Sequence, residues 1–269
     1  MSKKRRPIPH FATPLIETHC HLDYLDAAAL SDVLAQSSAV GVEKIVTIAV
    51  SPDNLDTVLD IANSYPQVWC SQGVHPHEAE HFNDAVAAHI VANASHDKVL
   101  AIGEIGLDYY YDHADRKVQW QVFEQQLSIA SELQLPVVIH TREADEDTRA
   151  ILQSWQHTSP IPGVIHSFTS GMALAQFCLE QGFMLGFNGI STFNKAENVR
   201  EIIAATPATR IVLETDAPYL TPVPYRGKPN APFYLPFIAE LVAKIKELDV
   251  ETLLKQAYNN SHALFFHSR

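Results

Sequence analysis

Eight short apolar runs rich in β-branched residues recur along the chain, with stretches of helical length between them. They lie at Pro14–His19, Lys44–Val50, Val68–Gly73 and Val99–Glu104, then Val137–His140, Gly163–His166, Phe183–Phe187 and Ile211–Glu214. Near-continuous apolarity is what a strand covered on both faces requires, as in a parallel sheet flanked by helices. Ala27–Val40, Asn54–Ser64, Val118–Leu133 and Asp147–Trp155 have helical spacing, and Ser51–Asn54 and Asp112–Arg116 read as strand-to-helix connections rich in N-cap types. Strand and helix alternating eight times predicts α/β architecture as a single (β/α)8 TIM barrel. The 269 residues suit one such barrel, for which roughly 250 residues is typical.

Little else is left over. After the eighth run, Ala217–Pro236 holds Pro218, Pro222, Pro224, Pro229, Pro232 and Pro236, so it reads as a stiff irregular loop over the strand ends. Helical segments Phe237–Leu248 and Val250–Phe266 close the chain. Lys3-Lys4-Arg5-Arg6 is followed by Pro7, Pro9 and His10, not by the apolar stretch of a signal peptide. Residues 1–12 therefore read as a flexible basic tail and 13–269 as the barrel domain. No apolar run approaches the roughly 20 residues of a membrane span. Cys20, Cys70 and Cys178 have no metal-ribbon or disulfide spacing, which suggests a reducing cytoplasm. A net charge of −12 argues against a protein that coats duplex nucleic acid, whose affinity comes from basic surface. It leaves room for a nuclease with local cations. No obligate protein partner is implied.

The chemistry is written at the strand ends. His19 and His21 stand in Glu-Thr-His-Cys-His, Glu104 in Gly-Glu-Ile-Gly-Leu-Asp, His140 in Val-Val-Ile-His, His166 in Gly-Val-Ile-His and Asp216 in Leu-Glu-Thr-Asp. A parallel barrel gathers such positions on one face. Imidazoles with carboxylates, without paired thiols, suit a hydrolytic divalent-metal site. His19 and His21, two apart on a strand, share a face. Glu104 has two oxygens and could bridge two cations, with Gly106 allowing close backbone approach. Asp216 could both bind metal and take a proton from water, with Glu214 two residues away as its alternative. His77 has no comparable support.

These motifs, together with Gly73-Val74-His75-Pro76, His140-Thr141-Arg142, His166-Ser167-Phe168-Thr169, Glu214 through Leu220, Pro222 through Lys228 and Asn260…Leu264-Phe265, resemble the TatD family of metal-dependent deoxyribonucleases, in the amidohydrolase-like superfamily. The similarity runs from Glu17 to about Phe265. It implies two divalent cations (Zn, Mg or Mn), one held by His19, His21, Glu104 and Asp216, the other by Glu104, His140 and His166. It implies His75 and Arg142 at substrate phosphate, with Arg226 and Lys228 near the nucleic-acid backbone. The implied activity is 3'-5' exonuclease-like cleavage of DNA phosphodiesters by metal-activated water, with Asp216, Glu104 and His75 catalytic and single-stranded DNA or DNA ends as substrate. Glu17, where the family usually has Asp, and Asn188, where Ser is commoner, depart from its pattern. The rivals are an amidohydrolase or lactonase acting on a small molecule and a non-catalytic metal-binding barrel. Small-molecule relatives often bridge their metals with a modified Lys on the fourth strand; here that position carries Glu104, and Lys98 lies at the wrong strand end.

Overall fold

The computed structural model describes residues 5–111 and 113–266; Lys3 and Lys4 of the basic segment, and Asp112 of the Asp112–Arg116 connection, lie outside them. Eight strands form one sheet in sequential order, β1 (Leu15–Cys20), β2 (Val42–Thr47), β3 (Val68–Gln72), β4 (Val99–Asp108), β5 (Val137–Arg142), β6 (Gly163–Ile165), β7 (Met184–Phe187) and β8 (Ile211–Leu213). Successive pairs are parallel throughout. Helices α1 (Leu30–Ala39), α2 (Leu55–Ser64), α3 (Asp84–Asn93), α4 (Arg116–Leu133), α5 (Asp145–Ser154), α6 (Met172–Glu180) and α7 (Glu197–Ala205) separate the strands, and α8 (Leu235–Ile245) and α9 (Val250–Phe265) follow β8. The chain is a (β/α)8 TIM barrel.

Every residue of β1, β4, β6, β7 and β8 is buried, as their apolar runs require. Val46, Ala101, Val138, Val164, Met184 and Val212, from six of the eight strands, cluster with Leu264 and Phe265 at the end of α9. That helix end plugs the mouth opposite the chemistry. The seam between β8 and β1 is closed at the other mouth. Asp216 N–H donates to His19 O (2.9 Å) and His21 N–H to Ala217 O (2.7 Å). The Glu17 carboxylate accepts from Thr215 N–H at 2.8 Å and His19 N–H at 3.1 Å.

Among the boundaries that differ from the sequence reading, four matter here. Strand β4 runs on to Asp108, so Glu104 lies inside it; β5 runs on to Arg142. His21 falls just after β1, at the start of a short 3-10 turn. Helix α8 begins at Leu235, because Pro236 is tolerated in a first turn whose N–H groups have no helical partner anyway.

Two residues of the basic segment meet the barrel. Arg6 pairs with Glu240 through both nitrogens and lies over the Phe237 ring, while Arg5 donates to Pro224 O at 3.0 Å.

The bulge in β4 matters most. Gly103 pairs with Val138 and Ile105 with Ile139, leaving Glu104 as an extra residue in the strand. Strict alternation from Ala101 and Gly103 would turn Glu104 outward to the helices; one inserted residue turns it into the lumen. Gly106 permits this at φ 137°, since a Cβ there would sit 1.9 Å from His140 O.

Candidate metal centre

Glu104 is the hub of a buried polar cluster at the strand C-termini. Its Oε1 lies 2.8 Å from His166 Nε2, 3.0 Å from His140 Nδ1 and 3.5 Å from His75 Nε2. Its Oε2 lies 3.4 Å from His19 Nε2. Asp216 Oδ1 completes that second side, 3.4 Å from His21 Nε2 and 3.7 Å from His19 Nε2. The imidazoles of His19 and His166 stack with centroids 3.8 Å apart. All six residues expected to be ligands are therefore gathered at one mouth. Asp216 sits in a left-handed turn after β8 (φ 58°), a conformation Asp tolerates better than most residues, and this turn aims its carboxylate back over the lumen.

Neighbouring acids hold the rings. Asp108, fully buried at the end of β4, accepts from His140 Nε2 and His77 Nε2, each at 3.0 Å, and from the backbone N–H of Tyr110 and Tyr111. His140 is thereby locked with Nδ1 toward Glu104. Glu214 Oε1 accepts from Ser167 N–H at 2.6 Å and lies 3.5 Å from His166 Nδ1, so it faces His166 while Asp216 faces the two N-terminal histidines. Asn188 donates to Ser167 Oγ (2.8 Å) and Glu214 Oε1 (3.3 Å). Glu17 sits beneath the cluster in the seam; burial pushes its carboxyl up to about 8 despite hydrogen bonds from Thr215 and His19.

Burial alone would raise the Glu104 carboxyl, but His166, His75 and His19 outweigh it and hold Glu104 well below the ordinary range. Asp216 is lowered in the same balance by His21 and His19, and Asp108 by His140 and His77. Burial lowers His75 far below the usual imidazole value, whereas Glu104 and Glu214 overcome burial and raise His166. Both ring nitrogens of His19, with Nδ1 of His21 and His166, are buried without a hydrogen-bond partner. Buried donors and acceptors are rarely left so. Orphaned imidazole nitrogens facing ionised carboxylates fit a divalent cation, and His19, His21 and Glu104, or His75, Glu104 and His140, are close enough to share one.

The cleft above has a volume of about 700 Å³, and His75 and Arg142 line it. Arg142 forms no ion pair among the described residues; its guanidinium lies 3.9 Å over the Tyr110 ring and 4.8 Å over that of Tyr111. Arg226 and Lys228 are not brought to the cleft. Arg226 stacks 3.7 Å over Phe193, and the turn carrying both is tied down by the Thr221 hydroxyl on Lys228 O. Sequence reasoning missed His77 and Asp108. Gly-Leu-Asp, four residues after Glu104, was the available signal for Asp108; His77 reaches it only through the 3-10 turn Pro76–His81.

A (β/α)8 barrel that gathers imidazoles and ionised carboxylates in a buried cluster at its strand C-termini defines a metal-dependent hydrolase. The chain belongs to the TatD related DNase family, whose model matches residues 16–266. It is 34% identical over 252 residues to an uncharacterized metal-dependent hydrolase, YabD, of Bacillus subtilis, covering 93% of this chain and 98% of the relative. It is 34% identical over 239 residues to the 3'-5' ssDNA/RNA exonuclease TatD of Salmonella typhimurium, covering 87% and 92%. The crystal structure of YjjV, a TatD homologue from Escherichia coli, superposes with a TM-score of 0.89 at 28% identity, covering 94% of this chain and 98% of that one. Among the described residues no helix is long and apolar enough to cross a membrane.

Proposed function

We propose that this hydrolase is a deoxyribonuclease that removes nucleotides from single-stranded or frayed DNA ends, in the 3'-5' direction of its Salmonella relative. The observation that carries the reading is the division of Glu104: one oxygen faces His19 beside Asp216 and His21, the other faces His140 and His166. A carboxylate so divided suits two cations. His19, His21, Glu104 and Asp216 would hold one, and Glu104, His140 and His166 the other, with Zn, Mg or Mn all compatible with nitrogen and oxygen donors. When bound, such ions lower the pKa of water and neutralise charge developing on phosphate oxygens.

The chain's own groups supply the rest. Asp216, kept ionised, accepts the proton released by the attacking water. His75, kept neutral by burial, presents Nε2 to a phosphoryl oxygen. Arg142, held flat by its tyrosines, meets a phosphate at the cleft's edge. Arg226 and Lys228 are not among the residues that line the cleft, so any contact they make is with nucleic-acid backbone beyond it. Beyond Arg142, an open groove is lined by Glu143, Asp145, Glu146, Asp147 and Glu201. Those carboxylates repel a polyanion, so a strand stops near Arg142 instead of threading past it, which favours ends over internal cuts. Three buried free cysteines suit a reducing cytoplasm.

Hydrolysis of end-labelled single-stranded DNA by metal-reconstituted protein, beside a panel of amides and lactones, tests the assignment. Stepwise shortening that disappears in Glu104→Gln is expected. Robust amide or lactone turnover lost in that variant, without DNA hydrolysis, would replace the nuclease reading.

A further inference from the structure

Four tyrosines are the exposed aromatic side chains among the described residues: Tyr24 (47%), Tyr110 (53%), Tyr111 (50%) and Tyr219 (53%). Tyr24, Tyr111 and Tyr219 line the metal cleft, and Tyr110 meets Tyr111 edge-on at 4.8 Å. Tyr219 follows β8 and Tyr24 follows β1, whereas Tyr110 and Tyr111 follow β4, so the two groups stand on opposite sides of the eight-stranded ring. On one side Tyr24 stacks on His21 at 5.3 Å, with Tyr219 edge-on to it at 6.4 Å. On the other, Tyr111 meets His77 edge-on at 5.4 Å and stacks on His113 at 5.7 Å. Arg142 lies over Tyr110 and Tyr111 and lines the same cleft. Large aromatic surface left in water on both banks of a site, one bank carrying a fixed cation, asks for a flat ligand joined to an anion.

We infer that the rim is a pair of base-stacking walls: Tyr24 and Tyr219 receive one unpaired nucleobase, Tyr111 receives the next, and the phosphodiester between them lies over Glu104. This deepens the nuclease reading and rests on it. Arg142 contacts an adjacent phosphate from the Tyr111 side. Every base has a π-face, so the walls are sequence-tolerant. A base inside a duplex has both faces covered by its neighbours, so at least two nucleotides must be unpaired. Single-strand preference then comes from the tyrosines and not from the metal ligands.

Stacking on an aromatic side chain contributes about 1–3 kcal/mol per base, or about 5- to 150-fold. Two measurements are made on the full-length protein. The first is fluorescence anisotropy of a labelled single-stranded ten-nucleotide DNA with metals chelated; the second is KM and kcat for that DNA with metals restored. Tyr219→Ala and Tyr111→Ala are expected to weaken binding and raise KM within that range while lowering kcat much less. Tyr219→Phe and Tyr111→Phe, which keep the ring, recover most of the affinity. On the unmutated protein, abasic nucleotides at the two terminal positions should cause a similar loss, and combining them with the alanine variants should add little. That arm does not depend on any variant folding. Binding that ignores both the rings and the missing bases overturns the walls, even if DNA is hydrolysed. Ring-dependent binding without hydrolysis keeps the walls and removes the nuclease reading.

Discussion

Residue by residue, the centre depends on carboxylates that cannot be exchanged for their amides. Glu104→Gln keeps the volume but replaces one oxygen of the proposed bridging carboxylate; metal counting should show loss from both proposed positions, and double occupancy that survives would end the bridging assignment. Asp216→Asn would weaken a proposed ligand and remove the proposed proton acceptor together, so kcat and kcat/KM should fall alike, by about 100-fold or more. His75→Ala, aimed at phosphate, should be milder and act mainly through KM; if Asp216→Asn keeps its kcat with metals bound, Glu214 is the next acceptor to test. Asp108 touches no expected ligand except His140, whose Nε2 it holds at 3.0 Å. Asp108→Asn should therefore weaken metal affinity about 10- to 100-fold on the His140 side only, as partners of ligating histidines do; equal loss at both positions in a metal titration would contradict that role.

At the scale of elements, strand β4 makes the site possible by being irregular. Its bulge at Glu104 needs Gly106, where a side chain would meet the His140 carbonyl at 1.9 Å. Gly106→Ala has no flexible neighbour to push aside, since the clash is with the backbone of β5. A denaturant melt should show a loss of about 3 kcal/mol or more, the range of severe packing and strain defects, along with weakened metal binding. Gly227 provides the comparison: its φ is also positive, at 83°, but nothing lies within 4 Å of its Cβ position. Gly227→Ala should lose only about 1 kcal/mol, the cost of the left-handed backbone.

For the whole molecule, the metal centre couples stability to loading. The proposed ligands come from β1, β4 and β5 and from the residues just after β1, β6 and β8, so a cation bound there would tie opposite walls of the barrel together. A ligand that binds only the folded chain stabilises it by about 2.7 kcal/mol at 100 times its Kd. Chelation should thus lower Tm and re-addition of metal should restore it, with no restoration in Glu104→Gln. The overall charge of −12 bears on substrate binding in the opposite sense. Arg142 is the sole Arg or Lys lining the cleft among the described residues. Each phosphate contact to single-stranded DNA contributes a log–log salt slope of about −0.7, so one or two contacts should give a shallow slope of about −0.7 to −1.4. A slope steeper than about −4 would require a basic surface outside the cleft.

The sequence by itself determined the barrel and the identity of its polar mouth. Eight buried strands must be apolar along their whole length, and a His, Asp or Glu ending such a run stands out without knowledge of any contact. His19, Glu104, His140 and His166 were legible for that reason, and Asp216 stood two residues past the last run. Tertiary structure decided what a one-dimensional pattern cannot encode. Glu104 faces the lumen because a single residue is inserted against β5, a register fact that alternation would have reversed. Asp108 and His77 belong to the site because strand β4 and the turn after β3 meet there, although they are thirty-one positions apart in sequence. Arg226 and Lys228 stand out by charge and motif, but their partners could not be read from the sequence: Arg226 lies over the Phe193 ring, and the Lys228 carbonyl accepts from the Thr221 hydroxyl. Residue type fixes what chemistry a side chain can do, whereas register, turns and competing partners fix where it does it.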